Sequence, residues 1–272
     1  MSSREIKGDL FRWVMMLLSA VILLFIVAPL VGMALRTGKT ELFETLGDKM
    51  VMESVWFTLR IAFISTLAFS AGAIPLAYIM ARKSFPGKKI IQGIIDLPVV
   101  IPHTAAGIAL LGLISRDGIL GKAAGTIGLN LINNPVGTAL AMAFVSLPFL
   151  INSARDGFLA VPVKLEKAGL SLGATHSRVF FSISVPLAWR SIVSGFVMMF
   201  ARGMSEFGAI VIVAYHPMTA PVMIYERFSA FGLDYARPLS LLFVVVALVI
   251  FILFRMISLE KRHKHIDREE NA

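Results

Sequence analysis

Long apolar runs separated by short polar stretches organise this chain. A helix needs about 17–25 mostly apolar residues to cross a bilayer. Six segments meet that pattern: Trp13–Leu35, Ser54–Ala81, Leu97–Ser115, Val136–Asn152, Ser191–Tyr215 and Pro238–Phe254. The first contains no charged residue, and no small-residue cleavage pattern marks its end. A spanning helix is therefore read there in preference to a cleaved signal peptide. No internal repeat and no Gly/Ser linker divides the chain. The expected fold class is an all-α integral membrane protein of six transmembrane helices. It forms one domain over residues 1–272, with an N-terminal span at 13–35, a core at 53–258 and a charged tail at 259–272.

One polar interruption stands out, residues 162–186, between the fourth and fifth apolar runs. Pro162 suits a first helical turn, and Glu166, Lys167 and Ala168 are good helix formers. Leu165, Ala168 and Leu172 recur at helical spacing, which gives one apolar face. Gly173 can close the helix in a left-handed cap. A second short segment, Thr175 to Ile183, follows, and Pro186 is expected to redirect the chain into the next span. On spacing alone the stretch is either a free helical hairpin or a docking element.

Composition adds to this picture. Hydrophobic residues make up 57% of the chain and charged residues 16%, against about a quarter charged in an ordinary soluble domain. Cysteine is absent, which excludes disulfides, iron–sulfur clusters and thiolate zinc sites. The net charge is +9, and its distribution points to topology. Seventeen of the 26 Lys and Arg residues fall in the N-terminal stretch, the loops after spans two and four, and the tail. Seven fall in the other loops, and Arg60 and Arg202 lie within spans. Basic residues concentrate on the cytoplasmic side, so both termini and the 162–186 loop are expected there. The basic surplus is read as a topology signal, with no nucleic-acid partner.

Charges inside the spans are the candidate chemistry. Arg202 and Glu206 are four apart in span five and can pair on one helix face. Ionisable groups at membrane depth belong against the bundle interior or water, so this pair either lines or gates a pathway, or locks two spans together. Gly203 and Gly208 permit close helix approach. Pro98, Pro102 and His103 in span three mark a bend beside the pathway or a packing kink. His103 alone reads as a packed or interfacial histidine, and Asp96 as a water-accessible group near the cytoplasmic end. The stretch from Ala214 to Pro238 reads as a structured outer loop with an amphipathic turn. No P-loop, no G-x-S-x-G and no H-E-x-x-H is present, so catalytic and metal sites find no support. His263 and His265 read as part of a solvated end.

Residues 165–186, LEKAGLSLGATHSRVFFSISVP, resemble the cytoplasmic "EAA" loop of the membrane subunits of ABC importers. Gly173, Ile183 and Pro186 stand at that pattern's separations, with Val185 in place of Leu. Lys167 occupies the usual Glu position, Glu166 lies one residue earlier, Ala168 matches, and Gly169 replaces the second Ala. The flanks Leu147-Pro148-Phe149, Arg155 and Val161-Pro162 match too, as do residues 74–102 with their basic Phe-Pro-Gly loop. Together with RGMSEFGA, the 214–238 stretch is similar to the molybdate/tungstate branch of the oxyanion permeases.

The resemblance implies a type I ABC importer permease that is not itself an enzyme. It implies a homodimer in the cell membrane, two ATP-binding cassette subunits on the cytoplasmic side holding ATP-Mg, and an extracytoplasmic oxyanion-binding protein. This chain would bind no cofactor or metal. Its ATPase-coupling residues would be Leu165, Glu166, Lys167, Ala168, Leu172, Gly173, Ala174, Arg178 and Pro186, with Glu166, Lys167 and Arg178 at the rim of the ATPase cleft. Sulfate is the alternative cargo. An ion-gradient-driven transporter is the alternative class, although no related halves are visible. A purely structural membrane scaffold is the third reading.

Overall fold

The computed structural model describes residues 3–260, with side chains over 11–254; the tail histidines His263 and His265 lie outside them. All described secondary structure is helical. In chain order the helices are α1 (Ser3–Arg36), α2 (Lys39–Gly47), α3 (Lys49–Arg82), α4 (Lys88–Val100), α5 (His103–Ile114), α6 (Ile119–Gly125), α7 (Pro135–Ala160), α8 (Val163–Ser171), α9 (His176–Val179), α10 (Val185–Met204), α11 (Ile210–Val213), α12 (Ala220–Phe231) and α13 (Leu233–Glu260). A π-helical turn, Phe180–Ser184, joins α9 to α10.

Helix α7 is the hub, packed between α3 and α10. Small residues bring α7 and α10 together. Ser153 and Gly157 on α7 face Ser191 and Gly195 on α10, and Ser153 Oγ donates to the Ser191 carbonyl at 2.7 Å. A Cβ on Gly157 would lie 2.4 Å from the Ser191 Cβ, and one on Gly195 would lie 2.8 Å from the Ser153 Cβ. Between apolar helices in lipid there is little hydrophobic drive, so close van der Waals approach of this kind carries the packing. Ser65 Oγ adds a bond from α3 to the Ala139 carbonyl of α7 at 2.7 Å. By contrast α1 packs weakly, with its apolar window 0% buried against 56% for α7.

The six-span pattern holds if the bent pair counts as one span, and four details differ from expectation. Five helices are long and apolar enough to cross alone; the expected third span is a broken pair, α4 and α5, bent by 114°. Pro102 is the reason. It stands as N-cap of α5, and Ile101 before it is extended (φ −74°, ψ 148°), as a residue preceding proline prefers. The fifth span begins earlier than Ser191 and ends earlier than Tyr215: one helical run extends from His176 to Met204. Pro186 therefore does not redirect the chain. It sits in the first turn of α10, and the wider π-turn before it, where the Val185 N–H bonds to the Phe180 carbonyl, accommodates the missing donor and the ring without a sharp kink. The sixth helix starts at Leu233, ahead of the expected Pro238.

On the face carrying α2 and α12, Asp48 caps α3 by accepting from the Met50 and Val51 N–H groups, and it pairs with Arg227. Partial burial pushes its carboxyl up, but the Arg227 hydrogen bond and the two backbone donors outweigh that and leave it below an ordinary aspartate.

The α7–α10 seam sets a test. Gly157→Ala should lower the thermal stability of the detergent-purified protein by about 1–3 kcal/mol, the usual cost of overpacking. Gly112→Ala, with open space around its Cβ position, should change it little.

Candidate functional site

Helix α8 is the expected amphipathic rod, ended by Gly173 in the left-handed region (φ +86°). Its apolar positions point away from the bundle: Leu165 is 46% and Leu172 is 89% exposed, and Ala168 is exposed beside them. Lys167 and Arg178 are exposed, and Ala174 is half-buried.

Glu166 departs from the expectation of a rim residue. It is 6% exposed and turns inward. Arg82, in the last turn of α3, donates Nε to its two oxygens at 3.0 and 2.9 Å and Nη2 to Oε1 at 2.9 Å. The same Nη2 donates to the Val161 carbonyl at 3.0 Å. Ser184 Oγ, from the π-turn, donates to Oε1 at 2.7 Å, and the Tyr78 hydroxyl reaches Oε2 at 3.5 Å. The Tyr78 ring packs edge-on against Phe158 and Phe180, with centroids 5.2 and 4.9 Å away. One carboxylate thus ties α3, α8 and the start of the fifth span into a single unit. A Cβ on Gly169 would meet the Ile183 Cδ1 at 2.8 Å, so α8 lies tight on the helix that follows it.

The second constellation forms at the break between α4 and α5. Pro98 is buried, Pro102 caps α5, and His103 begins it. Arg202, in the last turn of α10, donates Nη2 to the His103 Nε2 at 2.7 Å and pairs with Glu206 Oε2 at 2.8 Å. His103 Nδ1 lies 4.0 Å from the same oxygen. Glu206 is 1% exposed, and its other oxygen accepts the Ala209 N–H at 2.8 Å. The helix has ended by then, since Ser205 is the C-cap of α10. The expected pair is real, but Glu206 reaches Arg202 from the turn that leads to α11. Gly208 lies against His103, where a Cβ would stand 2.7 Å from the His103 Cβ, and Gly203 rests on Met142 and Ser146 of α7. The candidates Arg202, Glu206, Gly208, Pro102 and His103, read separately along the chain, therefore meet in one place.

A model of the family described as "Binding-protein-dependent transport system inner membrane component" matches residues 73–266. The chain belongs to that family. A relative from Pyrococcus abyssi, named molybdate/tungstate transport system permease protein WtpB, is 45% identical over 79% of this chain and 81% of its own length. Its namesake from Pyrococcus furiosus is 43% identical over 88% and 91%. Among solved structures, a bacterial ABC transporter that imports the polysaccharide alginate superposes with a TM-score of 0.74 over 94% of this chain and 97% of that chain, at 19% identity. The fold is that of a type I ABC importer permease, and the chain is a multi-pass membrane component of a transport system.

Within this family member, three groups escaped the sequence reading. Arg82 was counted only towards topology, and Tyr78 and Ser184 carried no signal of their own. Asp96 is also held more firmly than expected: it accepts from Asn152 Nδ2 at 2.6 Å and Gln92 Nε2 at 3.0 Å.

Two tests follow from the geometry. Glu166→Ala strands the Arg82 guanidinium, whose side chain is 10% exposed. Removing one partner of a buried pair costs about 3–5 kcal/mol. Limited proteolysis should then cut within 162–184 far faster than in the parent, while Lys167→Ala leaves the pattern unchanged. At the second constellation, Arg202→Met leaves a charge on the buried Glu206 and should cost about 3 kcal/mol of stability. Glu206→Gln keeps an acceptor for Ala209 and leaves Arg202, 22% exposed, free to reach water, so about 1 kcal/mol is expected. Equal losses in the two variants would contradict the assigned burial.

Proposed function

We propose that this chain is the membrane-spanning permease subunit of an ATP-driven importer for molybdate or tungstate. Two copies form the pathway, a separate ATPase subunit docks on each 162–186 loop, and a binding protein delivers the oxyanion from the other side. The names of the relatives support the cargo, and the absence of a P-loop supports a separate motor. The basic residues of the loops support a cytosolic side for both termini and α8 in a cell-membrane protein.

The observation that carries this reading is the two-sided construction of α8. Its outer side offers exposed Leu165, Ala168 and Leu172, which an ATPase cleft can bury. Its inner side is fixed by Glu166 to Arg82 and Ser184. Force applied to α8 is passed to α3 and to the fifth span, because the tie leaves α8 no independent movement. At the far end of that span sits the Arg202, His103 and Glu206 cluster. Rocking of α10 against α5 changes its geometry, and a dianion entering there meets an arginine, which suits it as a gate.

Leu172→Glu tests the lever without touching the bundle. In vesicles containing the assembled importer, substrate-stimulated ATP hydrolysis should no longer drive molybdate uptake, and uptake should fall at least ten-fold, about the effect of placing a carboxylate in an apolar cleft. Parental uptake and hydrolysis in this variant would overturn the lever. The same vesicles decide the cargo: excess tungstate should abolish molybdate uptake, and equal inhibition by sulfate would assign the sulfate class instead.

A further inference from the structure

A cavity of about 720 Å³ lies between the end of α3, the 83–87 turn, the start of α4 and the end of α7. Its basic wall is Lys88, Lys89 and Arg155, its apolar wall includes Met80, Ile90 and Leu159, and no carboxylate lines it. Arg155 already has an anionic partner, Asp156, at 2.9 Å. Lys88 Nζ donates to the Lys83 carbonyl at 2.9 Å, which leaves its charge unbalanced. Neither Lys88 nor Lys89 has an ion pair among the described residues. The cavity opens onto α4, an amphipathic helix whose Ile90, Ile94 and Leu97 form a stripe 70%, 62% and 50% exposed. Spacing of four and three residues puts the three on one face, and none of this chain's described residues covers it.

We propose that this cavity binds the phosphate headgroup of an anionic membrane lipid from the cytosolic leaflet, with its chains lying along the Ile90–Ile94–Leu97 face. The ligand must be amphiphilic. A small soluble anion would satisfy the lysines and leave Met80, Ile90 and Leu159 uncovered, whereas a neutral lipid would fill the apolar wall and leave the lysines unbalanced. Helix α4 packs on α7 and leaves its Ile90, Ile94 and Leu97 side chains open, so a lipid can slide in along that face. Juxtamembrane lysines attract anionic lipid at about 1 kcal/mol each, or about five-fold in occupancy. A lipid seated there would brace the start of α4 against α7, next to the Gln92, Asp96 and Asn152 hydrogen bonds. The choice of leaflet rests on the topology proposed above; the choice of lipid charge does not.

The full-length protein would be reconstituted into vesicles of equal phosphatidylglycerol and phosphatidylcholine, re-extracted, and its bound lipid identified by native mass spectrometry. Phosphatidylglycerol should be enriched in the parent. Lys88→Gln and Lys89→Gln should each reduce the enrichment about five-fold, and the double variant should abolish it, while Lys122→Gln at a distant loop leaves it intact. Equal carriage of the two lipids by the parent, or undiminished enrichment in the double variant, would overturn the proposal. Loss of the bound lipid in millimolar inorganic phosphate at constant ionic strength would also overturn it, by assigning the cavity to a free anion. The chain has no cysteine, so Ser84→Cys labelled with a membrane-impermeant maleimide reports the side separately. Labelling from outside would remove the cytosolic-leaflet assignment whatever lipid co-purifies.

Discussion

Glu166 is buried against an arginine at the end of a membrane helix, and the way this loop meets the bundle depends on that contact. Taking a carboxylate and a guanidinium out of water costs several kcal/mol per ion, and only close geometry with further hydrogen bonds offsets it. Here the offset is supplied. The guanidinium meets the carboxylate through two nitrogens, a serine hydroxyl completes one oxygen, and the tyrosine hydroxyl approaches the other. The spare Arg82 contact goes to the Val161 carbonyl, at the chain's exit from α7. Such a pair adds little net stability but has few alternative arrangements. Its value is that α3, α7, α8 and the fifth span share one fixed geometry.

Helix α8 is therefore exposed and rigid at once. An apolar helix face free in water would normally be covered or mobile. This one is held out by the charge pair behind it and by the aromatic packing of Tyr78, Phe158 and Phe180. The π-turn continues the tie into α10, and α10 ends at the Arg202, His103 and Glu206 cluster. A continuous helix from His176 to Met204 thus runs from beside the exposed face of α8 to the broken span. Coupling across that distance needs an element that moves as a body between discrete arrangements, and a helix clamped at one end and ion-paired at the other meets that need.

Much of this was legible in the sequence. The apolar runs, the polar interruption, the apolar face of α8 and the glycine cap all follow from spacing. What failed followed from the same local reasoning. Glu166 was placed at the rim because sequence spacing assigns a residue to a helix face without telling which face meets the bundle, and its partner Arg82 is far away in the chain. Pro102 was read as a bend or kink in span three, and a bend is there, but spacing could not tell that at 114° it ends one helix and starts another. Pro186 was read as a redirection, and a π-turn, for which the sequence offers no signal, absorbs it. Arg202 and Glu206 were paired correctly by spacing, but the third member, His103, comes from a different helix and could be read only as an isolated histidine.

The central claim is that Arg82 and Glu166 act as one unit. A double-mutant cycle on stability, comparing Arg82→Ala, Glu166→Ala and the pair, tests it most directly. If the clamp is as described, each single change is severe and the double is scarcely worse than either, giving a coupling energy of about 2 kcal/mol or more. Additive losses, with coupling near zero, would mean that the two side chains contribute independently and that the loop is fixed by something else.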